Sequence, residues 1–286
     1  MNSGRRIYDC FCYFNEDMIL ELRLETLWDH VDYFVICEAA YTQSGKPKPM
    51  NFSMERFARF RGKIRYLWLD QFPPGPVDFW KNENYQRNHL VNGLEDARPE
   101  DLIMISDLDE IPRPETIENY DPQYLRGDFK QRYCSYYLNN MSVGDSEADY
   151  WYGSKITTYH YFKSFFRSIA SSVRIYKSSG LLRSIKRTWF RKFNVQVIAD
   201  GGWHFTWMLK TEGIINKLES IAHQEYNLPQ YKDPAKIEDI IRSGRDILHP
   251  SIRYRAQPLD GRLPDALVGN AGRYKDWLLP APKEPG

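Results

Sequence analysis

The feature that most constrains the fold is a series of short apolar segments separated by segments with helical spacing. Residues 7–14, 33–39, 63–69 and 102–105 are rich in aliphatic and aromatic side chains, typical of strands buried on both faces. Between the first two, Leu20, Leu24, Leu27 and Val31 recur at helical spacing, and residues 80–97 repeat that pattern. Strands that alternate with helices predict an α/β fold with a mostly parallel sheet flanked by helices.

The pattern changes after Asp128. The segments "FKQRYCSYYLNN" and "DYWYGSKITTYHYF" are aromatic and predict a strand-rich second half. We expect a single domain over residues 1–249, within which residues 163–192 form a basic excursion. Residues 250–286, rich in Pro, Gly and Arg, are expected to form a tail that wraps the surface.

Composition restricts the classes of function. The formal net charge of the 286 residues is +1, which gives no overall attraction to nucleic acid, so any electrostatic function must be local. No segment approaches the ~18 apolar residues of a membrane span, and the N-terminus has no signal-peptide pattern. The four cysteines lack C-x-x-C spacing, which predicts reduced thiols and a cytoplasmic protein.

The fourth apolar segment ends in "SDLDE", which supplies three carboxylates within four positions. In an extended chain Asp107 and Asp109 would point the same way, and a divalent cation between them would offset their repulsion. Oxygen ligands suit Mn²⁺ or Mg²⁺, and ligands of parallel sheets bind at the carboxyl ends of strands. We therefore predict a metal site there, against the alternative of a turn-forming or helix-capping pair.

Five segments, in this order along the chain, resemble glycosyltransferase family 17: "YDCFCYFNEDMILELRLETL", "VDYFVICEAAYTQSGKPKP", "ENYQRN", "ISDLDEIP" and "GGWHFTW". The resemblance implies a GT-A-like fold in a bacterial-type soluble member. It also implies metal-dependent, inverting transfer of a sugar, GlcNAc from UDP-GlcNAc, to a hydroxyl of a glycan or glycolipid acceptor.

The resemblance assigns roles to further residues. His204 would be a third metal ligand beside Asp107 and Asp109, the alternative being a buried histidine bonded to a carbonyl. Glu38, Thr42, Lys46, Arg87 and Asp107 would bind the donor: Glu38 at the ribose or base, Lys46 at a phosphate and Arg87 at the nucleotide. For Lys46 the alternative is a plain surface loop, and for Arg87 a helix-surface pair with Glu83.

The catalytic base is left open among three carboxylates. Asp200 precedes the two glycines of "GGWHFTW", Glu225 lies in "AHQEYN", and Glu110 follows the metal pair. A carboxylate held against a cation is too acidic to be a good base, so Glu110 fits an orienting role better. Asp200 is our first candidate and Glu225 our second.

Residues 163–192 hold many basic side chains and no acidic one. Such a segment can lie on an anionic membrane surface or hold a lipid-linked anionic acceptor. The alternative is a solvated helical excursion.

Two other functions are consistent with parts of this pattern. A metal-dependent phosphohydrolase would use the same carboxylates to activate water, but it requires further His and Asp ligands near the first strand, where Asp9 stands alone. A non-catalytic sugar-binding module needs neither paired carboxylates at a strand end nor a late histidine.

Overall fold

The computed structural model describes residues 4–175, 183–220 and 227–280. Its strands are β1 (Ile7–Tyr13), β2 (Tyr33–Ala39), β3 (Ile64–Leu69), β4 (Leu102–Asp107), β5 (Glu110–Pro112), β6 (Arg126–Phe129), β7 (Gln131–Ser135), β8 (Asn140–Ser142), β9 (Tyr150–Trp151), β10 (Lys155–Thr158), β11 (Val195–Ile198), β12 (Gly202–Thr206) and β13 (Tyr254–Ala256). Its α-helices are α1 (Asp17–Leu27), α2 (Phe79–His89), α3 (Tyr159–Ser164), α4 (Ala170–Arg174), α5 (Arg183–Phe193), α6 (Thr211–Ser220), α7 (Pro234–Arg242) and α8 (Asp265–Gly269).

The larger sheet has seven strands in the order β11-β6-β10-β4-β1-β2-β3. Strands β1 to β4 are all parallel, and β10 is antiparallel to both of its neighbours. The predicted mostly parallel α/β sheet is therefore confirmed. In its register Cys12 lies opposite Asp107 and Tyr13 lies opposite Glu38, so the carboxyl ends of β1, β2 and β4 meet at one edge.

The helix predicted over residues 80–97 is shorter than its apolar pattern indicated. Helix α2 ends at His89 and the chain tightens into a 3-10 helix, Leu90–Gly93. At Gly93 a Cβ atom would clash with the Val35 side chain, so only glycine allows the chain to come this close to β2. Packing against the sheet thus decides the geometry of this last turn.

The second half forms a smaller sheet in the order β13-β8-β7-β12-β5, with β9 paired to β7, as its aromatic pattern predicted. Strand β12 starts at Gly202, whose φ of +116° favours glycine and whose Cβ would clash with the Ile111 carbonyl oxygen. Glycine is therefore needed here so that β12 can approach β5. The consequence is that His204 lies opposite Glu110 in the ladder.

The remaining segments pack onto these two sheets. Phe166, Ala170, Val173 and Phe190, all from the predicted basic excursion, are buried in the core against β1, β2 and β4. Near the C-terminus, buried Leu263, Leu267 and Tyr274 join the core that contains the α1 leucines. Within the described residues, no helix has both the length and the apolar character to cross a bilayer.

Candidate active site

The turn between β4 and β5 carries the acidic cluster. Asp107 is the last residue of β4 and Glu110 the first of β5, so Asp107, Leu108 and Asp109 form a tight turn rather than an extended chain. The argument that Asp107 and Asp109 point the same way does not hold for this geometry. The two side chains instead face different cationic partners.

A buried arginine holds this turn from behind. Arg23 of α1 donates through Nε and Nη2 to both carboxylate oxygens of Asp9, at 2.7 and 2.6 Å. Its Nη1 donates to the carbonyl oxygens of Asp107, Leu108 and Glu110 at 2.8–3.0 Å. Arg23 and Asp9 are both fully buried, with side-chain exposures of 0%. This ion pair, the rear pair, fixes the backbone that presents the acidic cluster.

Two arginines clamp Asp107 from the front. Arg87 Nη2 lies 2.7 Å from Asp107 Oδ1 and Arg174 Nη2 lies 2.7 Å from Asp107 Oδ2. Burial alone would raise the pKa of the Asp107 carboxyl, but the charges of Arg174 and Arg87 outweigh it and hold that pKa below its usual range. This front clamp, Arg87–Asp107–Arg174, therefore holds an ionised carboxylate between two guanidinium groups.

Arg87 lies beside the acidic cluster, and its predicted contact with the nucleotide stays a prediction. It also bonds Glu83 Oε1 at 2.7 Å, the i,i+4 partner on α2. Burial lowers the pKa of the Arg87 guanidinium, but Asp107 and Glu83 outweigh this and hold it above its ordinary value. Arg87 therefore makes both the i,i+4 pair with Glu83 and the contact with Asp107.

Glu110 is fully committed to holding the site together. Its carboxylate accepts hydrogen bonds from the Asp107 backbone N–H at 2.8 Å and the Trp151 indole N–H at 2.6 Å, and it also binds Arg174. A Cβ atom on Gly153 would clash with Glu110 and with Trp151, so the glycine leaves room for this contact. The geometry agrees with an orienting role for Glu110.

Asp109 faces a separate, weaker set of positive charges. His204 Nε2 lies 3.7 Å from Asp109 Oδ1, and Lys217 Nζ of α6 lies 4.0 Å from Oδ2. Burial would raise the pKa of this carboxyl, and the opposing influence of His204 and Lys217 leaves it lowered. Lys217 Nζ also lies 5.4 Å from the ring centroid of Trp207, which adopts a left-handed φ of 57° at the end of β12.

His204 is held between two aromatic rings. Its ring stacks on Trp151 with centroids 5.2 Å apart and an interplanar angle of 25°, and it lies 5.3 Å from Tyr133. Among the described residues His204 Nδ1 is buried and has no hydrogen-bond partner. Trp151 is 37% exposed, whereas Trp203 and Trp207 are buried. Of these tryptophans, Trp151 has the surface with which to contact a ligand.

The loop after β2 is anchored by Glu38. This buried carboxylate accepts hydrogen bonds from the Asn51 and Phe52 backbone N–H groups and the Tyr66 hydroxyl, at 2.8–3.1 Å, and it also pairs with Lys48.

Thr42 and Lys46 close a turn within the same loop. Thr42 N–H donates to the Lys46 carbonyl oxygen at 2.8 Å, and the Thr42 and Ser44 hydroxyls lie 2.8 Å apart. The Lys46 side chain is exposed, so it is accessible to a ligand.

Of the two leading candidates for the base, the structure describes only Asp200, which lies away from the acidic cluster. Asp200 lies in the turn before β12, with a side chain 72% exposed and 3.1 Å from Arg113 Nε. It stands at the opposite end of β12 from Phe205, whose N–H donates to the Asp109 carbonyl oxygen. Glu225 lies outside the described residues.

Arg174 and Lys217 are the two cations that sequence reasoning missed. Arg174 was counted among the surface charges of the basic excursion, and Lys217 lies in an ordinary helical pattern. The three carboxylates of "SDLDE" indicate that positively charged side chains must lie nearby. The pairs that form join residues 67 and 108 positions apart in sequence, so no local pattern predicts them.

The described side chains show which ligands are present for the predicted metal ion. Among residues 4–175, 183–220 and 227–280, no group of three or more His, Cys, Asp or Glu side chains is arranged to hold a metal ion. Cys12, opposite Asp107 in the sheet, has its thiol pKa raised to about 12 by burial, so the thiol is neutral. Any metal donors at this edge are therefore oxygen atoms and the imidazole.

Comparisons with known proteins agree with the motifs. The family model described as glycosyltransferase family 17 matches residues 1–250. The β-1,4-mannosyl-glycoprotein 4-β-N-acetylglucosaminyltransferases of Homo sapiens and Rattus norvegicus are each 38% identical over 117 residues, which is 38% of this chain. The match spans only 22% of the length of each of those relatives.

Two solved glycosyltransferases resemble the chain only weakly. The galactosyltransferase LgtC, solved with donor and acceptor sugar analogs, is 13% identical, with 98% of each chain covered and a TM-score of 0.34. GlyE of Streptococcus pneumoniae is 12% identical, with 98% of this chain and 67% of that chain covered and a TM-score of 0.35. These scores are too low to carry an argument about function.

Proposed function

The chain belongs to glycosyltransferase family 17, and we propose that it is a metal-dependent, inverting enzyme that transfers GlcNAc from UDP-GlcNAc to a hydroxyl of a glycan or glycolipid acceptor. The observation that carries the proposal is the arrangement at the carboxyl end of β4. There Asp107 lies between two arginines, and Asp109 faces His204 and Lys217. A diphosphate leaving group needs this combination of positive charge and metal-binding oxygen atoms.

Asp107, Asp109 and His204 would hold Mn²⁺ or Mg²⁺. The donor types fit such an ion, because carboxylate oxygens and one imidazole are ligands that both metals accept, although the described side chains are not grouped as a metal site. His204 Nε2 and Asp109 Oδ1 are 3.7 Å apart, too far for a hydrogen bond, and the buried Nδ1 of His204 lacks a partner among the described residues. When bound, the metal would neutralise charge that develops on the departing diphosphate.

Arg87 and Arg174 would bind the diphosphate oxygens. A guanidinium group presents paired N–H donors that match phosphate geometry, and its charge persists at any physiological pH. In the front clamp both arginines already lie at the strand end where the donor would bind, and Glu83 and Glu110 hold them from the other side. A bound diphosphate would share these donors with Asp107.

The loop formed by Thr42 to Lys46 would contact the nucleoside and a phosphate. Glu38 has its oxygens committed to the loop itself. We therefore assign Glu38 the task of holding the loop in place, and Lys46, with its exposed amine, the contact with a phosphate. Trp151 would offer its exposed face to an acceptor sugar, since aromatic rings stack on the apolar faces of sugars.

For the base, the placement of Asp200 beside Arg113 does not support a role in proton removal. Glu110 is committed to three donors and acts as a positioning residue. Glu225 stays a sequence-based candidate, tested by Glu225→Gln: loss of transfer with unchanged UDP affinity supports it.

The four cysteines are free thiols, and Cys10, Cys37 and Cys134 are buried. Thiols left unpaired are typical of a reducing compartment, so we place the reaction in the cytoplasm. The phosphohydrolase alternative loses its additional ligand, because Asp9 is fully buried and both of its oxygens bind Arg23.

The proposal is tested by incubating the protein with a panel of nucleotide sugars, Mn²⁺ and glycan acceptors, followed by mass spectrometry of the acceptor. We expect an increase by one N-acetylhexosamine with UDP-GlcNAc and none with GDP- or CMP-sugars. Full activity in EDTA would exclude the metal role. Release of phosphate without any sugar transfer would favour the phosphohydrolase, and sugar binding without turnover would favour the binding module.

Donor binding is tested separately by calorimetry with UDP and Mn²⁺. Arg87→Ala should weaken binding, and Arg61→Ala, an exposed arginine on a 3-10 helix, is the matched control. Equal affinity for UDP, GDP and CMP would contradict the choice of donor.

A further inference from the structure

The surface around α5 combines exposed apolar rings with positive charge. Trp189 and Phe193 are one helical turn apart, 54% and 59% exposed, and their ring centroids are 6.4 Å apart. Lys192 is exposed on the same side of the helix, with its Nζ 5.4 Å from the Phe193 ring, and Arg191 is exposed on the other side. Exposed tryptophan and phenylalanine on one helix face are unusual in a surface that contacts only water.

The neighbouring face of α5 is anchored in the core. Phe190 is 1% exposed and stacks on Phe165 with centroids 5.7 Å apart and an interplanar angle of 8°. The Arg126 guanidinium carbon also lies 5.3 Å from the centroid of the Phe190 ring. The exposure of Trp189 and Phe193 is therefore a property of a helix whose orientation is fixed, and burying either ring against this domain would require α5 to leave the core.

The charge of this surface has a single sign. Residues 150–199 contain ten Lys or Arg and no Asp or Glu, although the whole chain carries a net charge of only +1. Lys163 and Arg167 are exposed, and no ion pair joins Arg191 or Lys192 to a described residue. Two of the ten are offset within the protein, Arg174 by Asp107 and Glu110 and Lys155 by Asp128, whereas an anionic partner would offset the exposed Lys192.

We infer that the α5 face defined by Trp189, Phe193 and Lys192 docks the protein on an anionic phospholipid surface. Helices that lie in a membrane interface combine aromatic residues on one side with Lys and Arg next to them. A second copy of this chain fits poorly, because a two-fold contact would bring the same positive charges face to face.

Docking on this face would also involve the active site. Arg174 lies in the same segment, directly after Val173, whose carbonyl oxygen accepts a hydrogen bond from Arg126. Its guanidinium reaches inward to Asp107 and Glu110. The segment therefore has a lipid-facing side and a side that completes the front clamp. The docking inference itself does not depend on the reaction, since binding to vesicles is measured without substrate.

The test is co-sedimentation with vesicles of phosphatidylglycerol and phosphatidylcholine, compared with phosphatidylcholine alone. We expect the wild type to bind only the anionic vesicles and to be released by salt. With about 1 kcal/mol for each basic residue near an anionic surface, Lys192→Glu should weaken partitioning by at least about 5-fold. Trp189→Ser with Phe193→Ser should also weaken it.

Matched controls carry the same changes elsewhere on the surface. Lys275→Glu changes the net charge equally, and Leu228→Ser with Leu259→Ser removes two exposed apolar side chains. Both controls should bind as the wild type does, and circular dichroism should show all variants folded. The inference is overturned if the wild type fails to bind anionic vesicles at low salt, if the controls lose binding equally, or if the Trp189/Phe193 variant instead abolishes a dimer seen by sedimentation velocity.

Discussion

Two arginine–aspartate clusters lie on opposite sides of the same turn, and they differ in access to solvent. In the rear pair, Arg23 and Asp9 are both 0% exposed, and every described hydrogen bond of Arg23 is to one of the protein's own oxygen atoms. In the front clamp, Asp107 is 40% exposed although two arginines bind it. The same residue types are thus used once to fix a backbone and once to form a surface open to ligands.

The difference follows from whether water or a ligand can replace the ion-pair partners in each cluster. A buried pair has no alternative partner, so losing one member leaves an uncompensated charge in a medium of low dielectric constant. A partly exposed clamp can share its guanidinium groups with an incoming anion, because water and the ligand can take over the carboxylate contacts. The rear pair should therefore determine stability, and the front clamp should determine donor binding.

The largest expected effect comes from breaking the rear pair. Asp9→Ala should lower the free energy of unfolding by about 3–5 kcal/mol, because it leaves the Arg23 charge buried without its partner. Urea denaturation measures this. The double variant Asp9→Leu with Arg23→Met should be less destabilised than Asp9→Ala, and a loss no greater than that of a surface substitution would show that the pair is not a stabilising unit.

The next effect concerns Asp109, which faces His204 and Lys217. Asp109→Asn keeps the shape of the side chain but removes its charge, so transfer should fall by at least about 100-fold, roughly 2.7 kcal/mol of transition-state stabilisation. Stability should change by less than about 0.5 kcal/mol, since the side chain makes no close ion pair. Steady-state kinetics and urea denaturation together separate the two effects, and unchanged turnover would remove Asp109 from the proposed site.

A smaller effect is expected from changing the geometry of the clamp at constant charge. Arg174→Lys retains the positive charge but cannot bind Asp107 and Glu110 together through a planar fork. We expect kcat/KM to fall about 10-fold, equivalent to about 1.4 kcal/mol. Arg191→Lys, on the exposed side of the same segment, is the control and should leave kcat/KM unchanged, whereas equal losses in both variants would mean that the effect is not specific to the clamp.

The smallest effect is on the pH dependence of stability. Burial alone would raise the pKa of Asp107, but Arg174 and Arg87 hold it below its usual range, so the folded chain binds fewer protons than the unfolded chain at about pH 4. The stability this carboxylate contributes is present above that pH and is lost as the pH falls through the folded-state pKa.

Asp107→Asn should therefore lose less stability than the wild type between about pH 5 and pH 3 in denaturation experiments. Because the Asp107 side chain is 40% exposed, solvent screens the pair and the difference should be small. Asp200→Asn, at an exposed carboxylate, is the control. Identical pH profiles for Asp107→Asn and the wild type would contradict a stabilising clamp.

Much of the larger sheet follows from local patterns. The predicted second strand, residues 33–39, has the bounds that the structure shows, and β1, β3 and β4 differ from prediction by no more than two residues at either end. The apolar residues of β1, β2 and β4 are buried on both faces, as the pattern predicts, whereas β3 at the edge of the sheet is mostly half-buried. The contact of Arg87 with Asp107 was not predicted, and it arises because α2 packs beside β1 and β2 at the edge where the carboxyl ends of these strands meet.

The remaining parts of the site depend on pairing between distant segments. Glu110 was near the cluster in sequence, but its three hydrogen bonds come from a turn, a tryptophan and an arginine that different elements supply. Asp200 was a reasonable candidate from its position before the two glycines. The direction of β12 instead places it beside Arg113, at the other end of the strand from Asp109.

By itself, the sequence determined the alternation of strands and helices, the edge of the sheet at which Asp107 lies and the family to which the motifs point. Each of these depends on apolar periodicity or on short motifs, which are local. Only the tertiary structure decided that Arg174 faces inward to Asp107 while Trp189 and Phe193 face outward, and that Arg23 supports the turn from behind. A charged side chain carries no record in its sequence neighbourhood of which distant carboxylate will offset its burial, so that assignment is made by packing alone.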